Sequence, residues 1–145
     1  MCMLRNFSRN PSLVFTSEKG GKMHKYLDKW LEALHSDEPN VIAALYADDA
    51  TFLPTMSGDL KRGVSGALEY FQEDFMPSSP RGIIRELVVQ EFGEEIVLLA
   101  GFYDFSTHDG QLVVEARFTF LAKRMAEDEW KIVHHHSSYK PVSKN

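Results

Sequence analysis

Trp130-Lys131-Ile132-Val133-His134-His135-His136-Ser137-Ser138-Tyr139 is the stretch on which the reading of this chain turns. Taken as a β-strand, its side chains alternate between two faces. Trp130, Ile132, His134, His136 and Ser138 then share one face, and Val133, His135 and Ser137 take the other. A tryptophan and an isoleucine leading into two imidazoles and a hydroxyl describe a strand that starts in a core and ends in a polar site. Three of the six histidines stand here.

Upstream, the apolar patterning and turn signals predict further strands over 83–92, 95–106 and 112–124. Gly93-Glu94, Thr107-His108-Asp109-Gly110 and Ala126-Glu127-Asp128-Glu129 supply the turns, the second with an Asp-Gly hairpin signal. In the strand before the last, Glu115, Arg117, Thr119 and Leu121 share one face; Val114, Ala116, Phe118 and Phe120 share the other. Neither face is wholly polar, so both are expected to be covered, one by helices and one by a second subunit. Alternation alone does not say which face meets the helices.

The amino-terminal half reads as helical. Met23, Leu27, Trp30, Leu31 and Leu34 fall at amphipathic spacing. Asp37 suits an N-cap for a second helix over about 40–47, with Pro39 in its first turn. A short strand follows at 50–54. Ser65 can cap a third helix, whose buried stripe is Leu68, Phe71 and Phe75. Helices first, then hairpin-linked strands, give an α+β class with N-terminal helices packed on a curved antiparallel sheet.

A length of 145 residues suits one domain, expected over 23–141, with a flexible tail at 1–22 and a short carboxy-terminal tail at 142–145. The first segment, rich in Ser, Asn, Arg and Gly, also admits a transit peptide or a start at Met23. The formal net charge of −5, with 16 scattered Lys and Arg, argues against a nucleic-acid partner. Cys2 is the single cysteine, which rules out an internal disulfide and a cysteine-based metal site. No apolar run reaches the roughly 20 residues of a membrane span, so a cytoplasmic protein without a membrane partner is expected.

His134 and His136 are candidate catalytic residues, because an imidazole titrates near about pH 6.5. Their spacing also brings two imidazoles to one side, but a zinc site needs a third protein ligand. His24, His35, His108, Asp48 and Asp49 show no diagnostic spacing, so no metal and no cofactor are expected. Structural readings stand beside these: satisfied histidines, core aromatics, and Arg117 ion-paired with Glu115 or Asp104.

Several segments together resemble a known family. These are Trp30, Leu45-Tyr46-Ala47-Asp48-Asp49-Ala50, Leu53-Pro54-Thr55 with Ser57-Gly58, Tyr70-Phe71 with Phe75, Gly101-Phe102-Tyr103, Ala116-Arg117-Phe118-Thr119-Phe120, and the Trp130-to-Ser138 strand. They are similar to the NTF2-like superfamily, in particular its SnoaL-like and SgcJ/EcaC-type members. The nearest likeness is to the association (hub) domain of calcium/calmodulin-dependent protein kinase II and its free-standing bacterial relatives. The resemblance implies an α+β cone with an internal cavity, and a homo-oligomer, dimer or higher, formed through the sheet. It further implies that Arg117, His134, His136, Tyr103 and Thr119, walled by Trp30 and Tyr46, hold a small polar or carboxylate-containing molecule in that cavity. The alternative it offers is a small isomerase, cyclase or hydratase. A cavity histidine would then move the proton and Arg117 would stabilise an oxyanion. The aspartate base of the ketosteroid-isomerase relatives has no defined position in this sequence.

Overall fold

In chain order the elements are β1 (Leu13–Phe15), α1 (Lys25–His35), α2 (Pro39–Ala43), β2 (Tyr46–Leu53), β3 (Lys61–Arg62), α3 (Gly63–Tyr70), β4 (Arg81–Phe92), β5 (Ile96–Ser106), β6 (Val113–Ala126) and β7 (Glu129–Tyr139). The structure is a computed structural model that describes residues 25–107, 109–111 and 113–142, and the backbone of 13–15. His24 and His108 lie outside the described residues.

Helix α1 buries Leu27, Trp30, Ala33 and Leu34, a spacing that places one apolar stripe against the sheet. It ends at His35, and in the turn that follows the Asp37 backbone is left-handed at φ 62°. Asp37 does not cap α2: Glu38 holds that position without a side-chain bond, and Pro39 opens the helix. The Asp37 carboxylate instead accepts hydrogen bonds from the Ser79 hydroxyl (2.8 Å) and the Arg81 guanidinium (3.3 Å).

The second helix is shorter than its sequence predicts. It ends at Ala43, and the chain turns directly into β2, which holds Asp48 and Asp49 inside a strand. The reason is pairing: Tyr46 registers with Ile132, and the Ile132 N–H donates to the Leu45 carbonyl at 2.9 Å. Tertiary hydrogen bonding and burial of Tyr46, Ala47, Ala50 and Phe52 outweigh the helical propensity of Ala44 to Ala47. After α3 the chain forms one π-turn over Phe71–Phe75. Its extra residue shifts the buried stripe to Ala67, Tyr70, Phe71 and Phe75 and leaves Leu68 half-buried.

Among the described residues the strand order is β1-β4-β5-β6-β7-β2-β3. Strands β4 to β7 form the expected antiparallel meander. One pair departs from an all-antiparallel sheet: β2 runs parallel to β7, from which β3, α3 and the strands β4 to β6 separate it in the chain. Part of the expected tail also joins the sheet, with Leu13 to Phe15 pairing along β4. No helix among the described residues is long and apolar enough to cross a membrane.

Among the register irregularities of the sheet, two bulges bear on the site. In β4, Arg85 is an extra residue between the pairs Ile84–Tyr103 and Glu86–Phe102. In β7, Val133 is the extra residue, since Leu121 pairs with His134 while Ala122 pairs with Ile132. A one-residue slip exchanges the two faces of everything beyond it. Below the bulge Ile132 faces the helices; above it His135 and Ser137 do.

Candidate functional site

The Val133 bulge decides which side chains reach the interior. His135 and Ser137 join Ala116, Phe118, Phe120 and Ala122 on the buried face, under α1, α3 and the π-turn. His134, His136 and Ser138 point to the other face, where their register partners are Leu121, Thr119 and Arg117. The expectation that Arg117, Thr119, His134 and His136 line the cavity is therefore corrected by their placement. Arg117 and His136 are exposed, and Thr119 and His134 are half-buried on the outer face. Trp30, Tyr46 and Tyr103 are interior, as expected. His135, Ser137 and Thr55 were not singled out. The adjacent apolar pair Ile132-Val133, which breaks strict alternation, was the available sign of the bulge.

His135 is fully buried between Phe120 and Phe52, stacked at centroid distances of 4.0 Å and 4.6 Å. Its Nδ1 lies 2.8 Å from the Tyr46 hydroxyl and its Nε2 lies 3.1 Å from the Tyr103 hydroxyl. Trp30 Nε1 donates to the Tyr46 hydroxyl at 3.1 Å, and Tyr103 donates to Ser137 Oγ at 2.6 Å. Ser137 Oγ in turn lies 2.5 Å from Thr55 Oγ1. These bonds join six side chains from α1, β2, β5, β7 and the loop after β2 into one line.

The direction of that line follows from the donor inventory. An indole N–H can only donate, so Tyr46 accepts from Trp30 and leaves its own hydrogen to give. Buried in aromatics, that hydrogen finds its acceptor in His135 Nδ1. The imidazole then carries its proton on Nε2 and donates to Tyr103, which donates to Ser137 and onward to Thr55. Every donor is matched only if His135 is neutral in this tautomer. Burial, followed by the neighbouring His134 and His136, pushes its pKa well below the usual histidine value. Burial pushes the Tyr46 and Tyr103 phenols well up.

The space beside this line is small. It amounts to about 20 Å³, bordered by Trp30, Phe71, Tyr103, His135, Ser137 and Thr55 among others, which suits one water rather than an organic ligand. Among the described residues no carboxylate or guanidinium lines it. Among the described residues no three His, Cys, Asp or Glu side chains converge on a possible metal position.

The outer face is built differently. Thr51 Oγ1 and His134 Nδ1 are 2.7 Å apart, and Arg117 Nε donates to Ser138 Oγ at 3.4 Å. Burial, then the nearby His136, pushes the His134 pKa down. Around these polar groups, Leu98, Ala100, Phe102 and Leu121 remain only half-buried. They sit in adjoining register rows, Leu98 beside Leu121 and Ala100 beside Thr119.

This helix-backed, bulged sheet is α+β in class and has the fold of NTF2-like proteins. The family model of the calcium/calmodulin dependent protein kinase II association domain matches residues 20–141, and the chain belongs to that family. It is similar to a Xanthomonas campestris protein assigned to that same association domain, with 29% identity, a TM-score of 0.79, and coverage of 89% of this chain and 94% of that one. An NTF2-like protein of unknown function from Pseudomonas putida shares the fold at 19% identity, TM-score 0.71, covering 84% and 86%. So does an NTF2-like superfamily protein from Salmonella enterica at 16% identity, TM-score 0.70, covering 85% and 92%. No curated protein matches the chain.

Proposed function

We propose that this chain is an assembly domain that self-associates through the outer face of its sheet. The observation that carries this reading is the patch of Leu98, Ala100, Phe102 and Leu121, half-buried on a face that no helix among the described residues covers. Contiguous apolar surface of that kind favours association, and a two-fold pairing would bring the same rows together from both copies. Membership of an association-domain family supports the same use. The polar rim of Arg117, Thr119, His134, His136 and Ser138 would set register across such an interface. The saturated hydrogen bonds around His135 and the one-water cavity give the interior a supporting role in this reading.

The test is the mass of the intact chain in solution by size-exclusion chromatography with light scattering. The expected result is a dimer or larger species at micromolar concentration, converted to monomer by Leu121→Arg with the circular dichroism spectrum retained. A wild-type chain that is strictly monomeric would overturn the proposal.

A further inference from the structure

Between the start of α1 and the β6–β7 hairpin lies a pocket of about 310 Å³. Tyr26 and Trp130 form one wall, their rings 4.9 Å apart and inclined by 43°. Ile132 contributes to the apolar floor. Three lysines reach the same space: Lys25 and Lys29, one turn apart on α1, and Lys131 from β7. Among the described residues Asp128 is the single carboxylate in the lining. Lys131 Nζ is fixed in position by donating to the Ala44 carbonyl at 2.7 Å, with Glu129 at 3.9 Å.

A second lobe of about 290 Å³ adjoins the first across Lys25, Tyr26 and Trp130, and it carries Glu91 and Glu94. The shared aromatic wall therefore has opposite charge on its two sides. Volume, a flat apolar wall and a net positive lobe together describe a small-molecule site with a defined orientation. We propose that this pocket binds a flat aromatic carboxylate, its ring against Trp130 and Tyr26 and its carboxylate toward Lys29 and Lys131. The lysines are partly exposed, so each contributes modestly and the ring contact supplies much of the affinity. The site shares no residue with the outer sheet face or the His135 line, and it stands whether or not the chain assembles.

The full chain is titrated with 2-naphthoate and, separately, with its neutral counterpart 2-naphthamide, by calorimetry and by tryptophan fluorescence. Trp30 is buried away from this pocket, so quenching reports on Trp130. Saturable 2-naphthoate binding is expected, weakened about two- to fivefold by Lys29→Gln or Lys131→Gln, and by rising salt. 2-Naphthamide should bind more weakly to the wild type and be indifferent to both substitutions. No saturation by about 10 mM naphthoate would overturn the proposal. So would equal binding of acid and amide, or binding unchanged in the double lysine variant.

Discussion

Tyr46 and His135 stand 89 positions apart in the chain, and the Tyr46 hydroxyl meets His135 Nδ1 at 2.8 Å in the centre of the core. Trp30 fixes the sense of this contact by donating to the same hydroxyl. Tyr46→Phe leaves two buried groups without partners, the Trp30 N–H and His135 Nδ1. An orphaned buried group costs about 1–3 kcal/mol, so the variant should lose roughly 2–5 kcal/mol. Urea denaturation with an unchanged m-value checks this. A loss below about 1 kcal/mol would mean that the line is not satisfied as described.

The neutral state of His135 makes stability depend on pH. Its folded pKa is depressed, while the unfolded value is about 6.5. Between those two values the unfolded chain binds a proton that the folded chain refuses, so stability rises with pH there. The contribution is fully present above about pH 6.5 and is lost as pH falls below it, with a slope of up to about 1.4 kcal/mol per pH unit. His134 and His35, whose pKa values are also lowered by burial, act in the same direction. Unfolding free energy measured from pH 7.5 to 5 should therefore fall more steeply for the wild type than for His135→Gln. Parallel slopes would remove His135 as the main contributor.

Much of this was legible before the structure. Period-two alternation located β4 to β7 within a few residues, because half-buried hairpin strands are the clearest pattern a sequence carries. Trp30 and Tyr46 were identified as interior aromatics that wall a cavity. The pocket histidine was not, because the assignment of faces in 130–139 assumed an unbroken strand. One extra residue at Val133 moved His135 and Ser137 inward and His134 and His136 outward. Arg117 lies outside as well, beside Ser138. Its strand offered the correct choice: Ala116, Phe118, Phe120 and Ala122 are uniformly apolar, whereas the other face carries Glu115, Arg117 and Thr119 beside Leu121. The parallel pairing of β2 was invisible, since it rests on a contact between Tyr46 and Ile132 far apart in the chain.

The β4 bulge gives Gly101 a specific purpose. A Cβ placed there would lie 1.9 Å from the Glu86 carbonyl oxygen, an atom of a paired backbone that has little freedom to retreat. Gly101→Ala should cost several kcal/mol, about 3 or more, with a lowered melting temperature. Gly93 provides the comparison: its φ is +70°, but an added Cβ meets nothing within 4 Å. Gly93→Ala should cost only about 1–2 kcal/mol, the price of a left-handed alanine. A reversed order of the two variants would contradict the close approach of β4 and β5 at Glu86.

The donor line should weaken toward its outer end. Tyr46 is sealed among Trp30, Phe52 and His135, whereas Thr55 and Ser137 border the space of about 20 Å³. Thr55→Val keeps the shape of the side chain and removes the acceptor for the Ser137 hydroxyl. A water in that space can accept the released hydrogen, and water-mediated bonds are nearly as favourable as direct ones. Thr55→Val should therefore cost under about 1 kcal/mol, clearly less than Tyr46→Phe, although both delete one hydroxyl from the same line. Urea denaturation of the two variants side by side reads the difference. Equal losses would mean that the Thr55 end is as dry as the Tyr46 end, and that the line closes on itself without water.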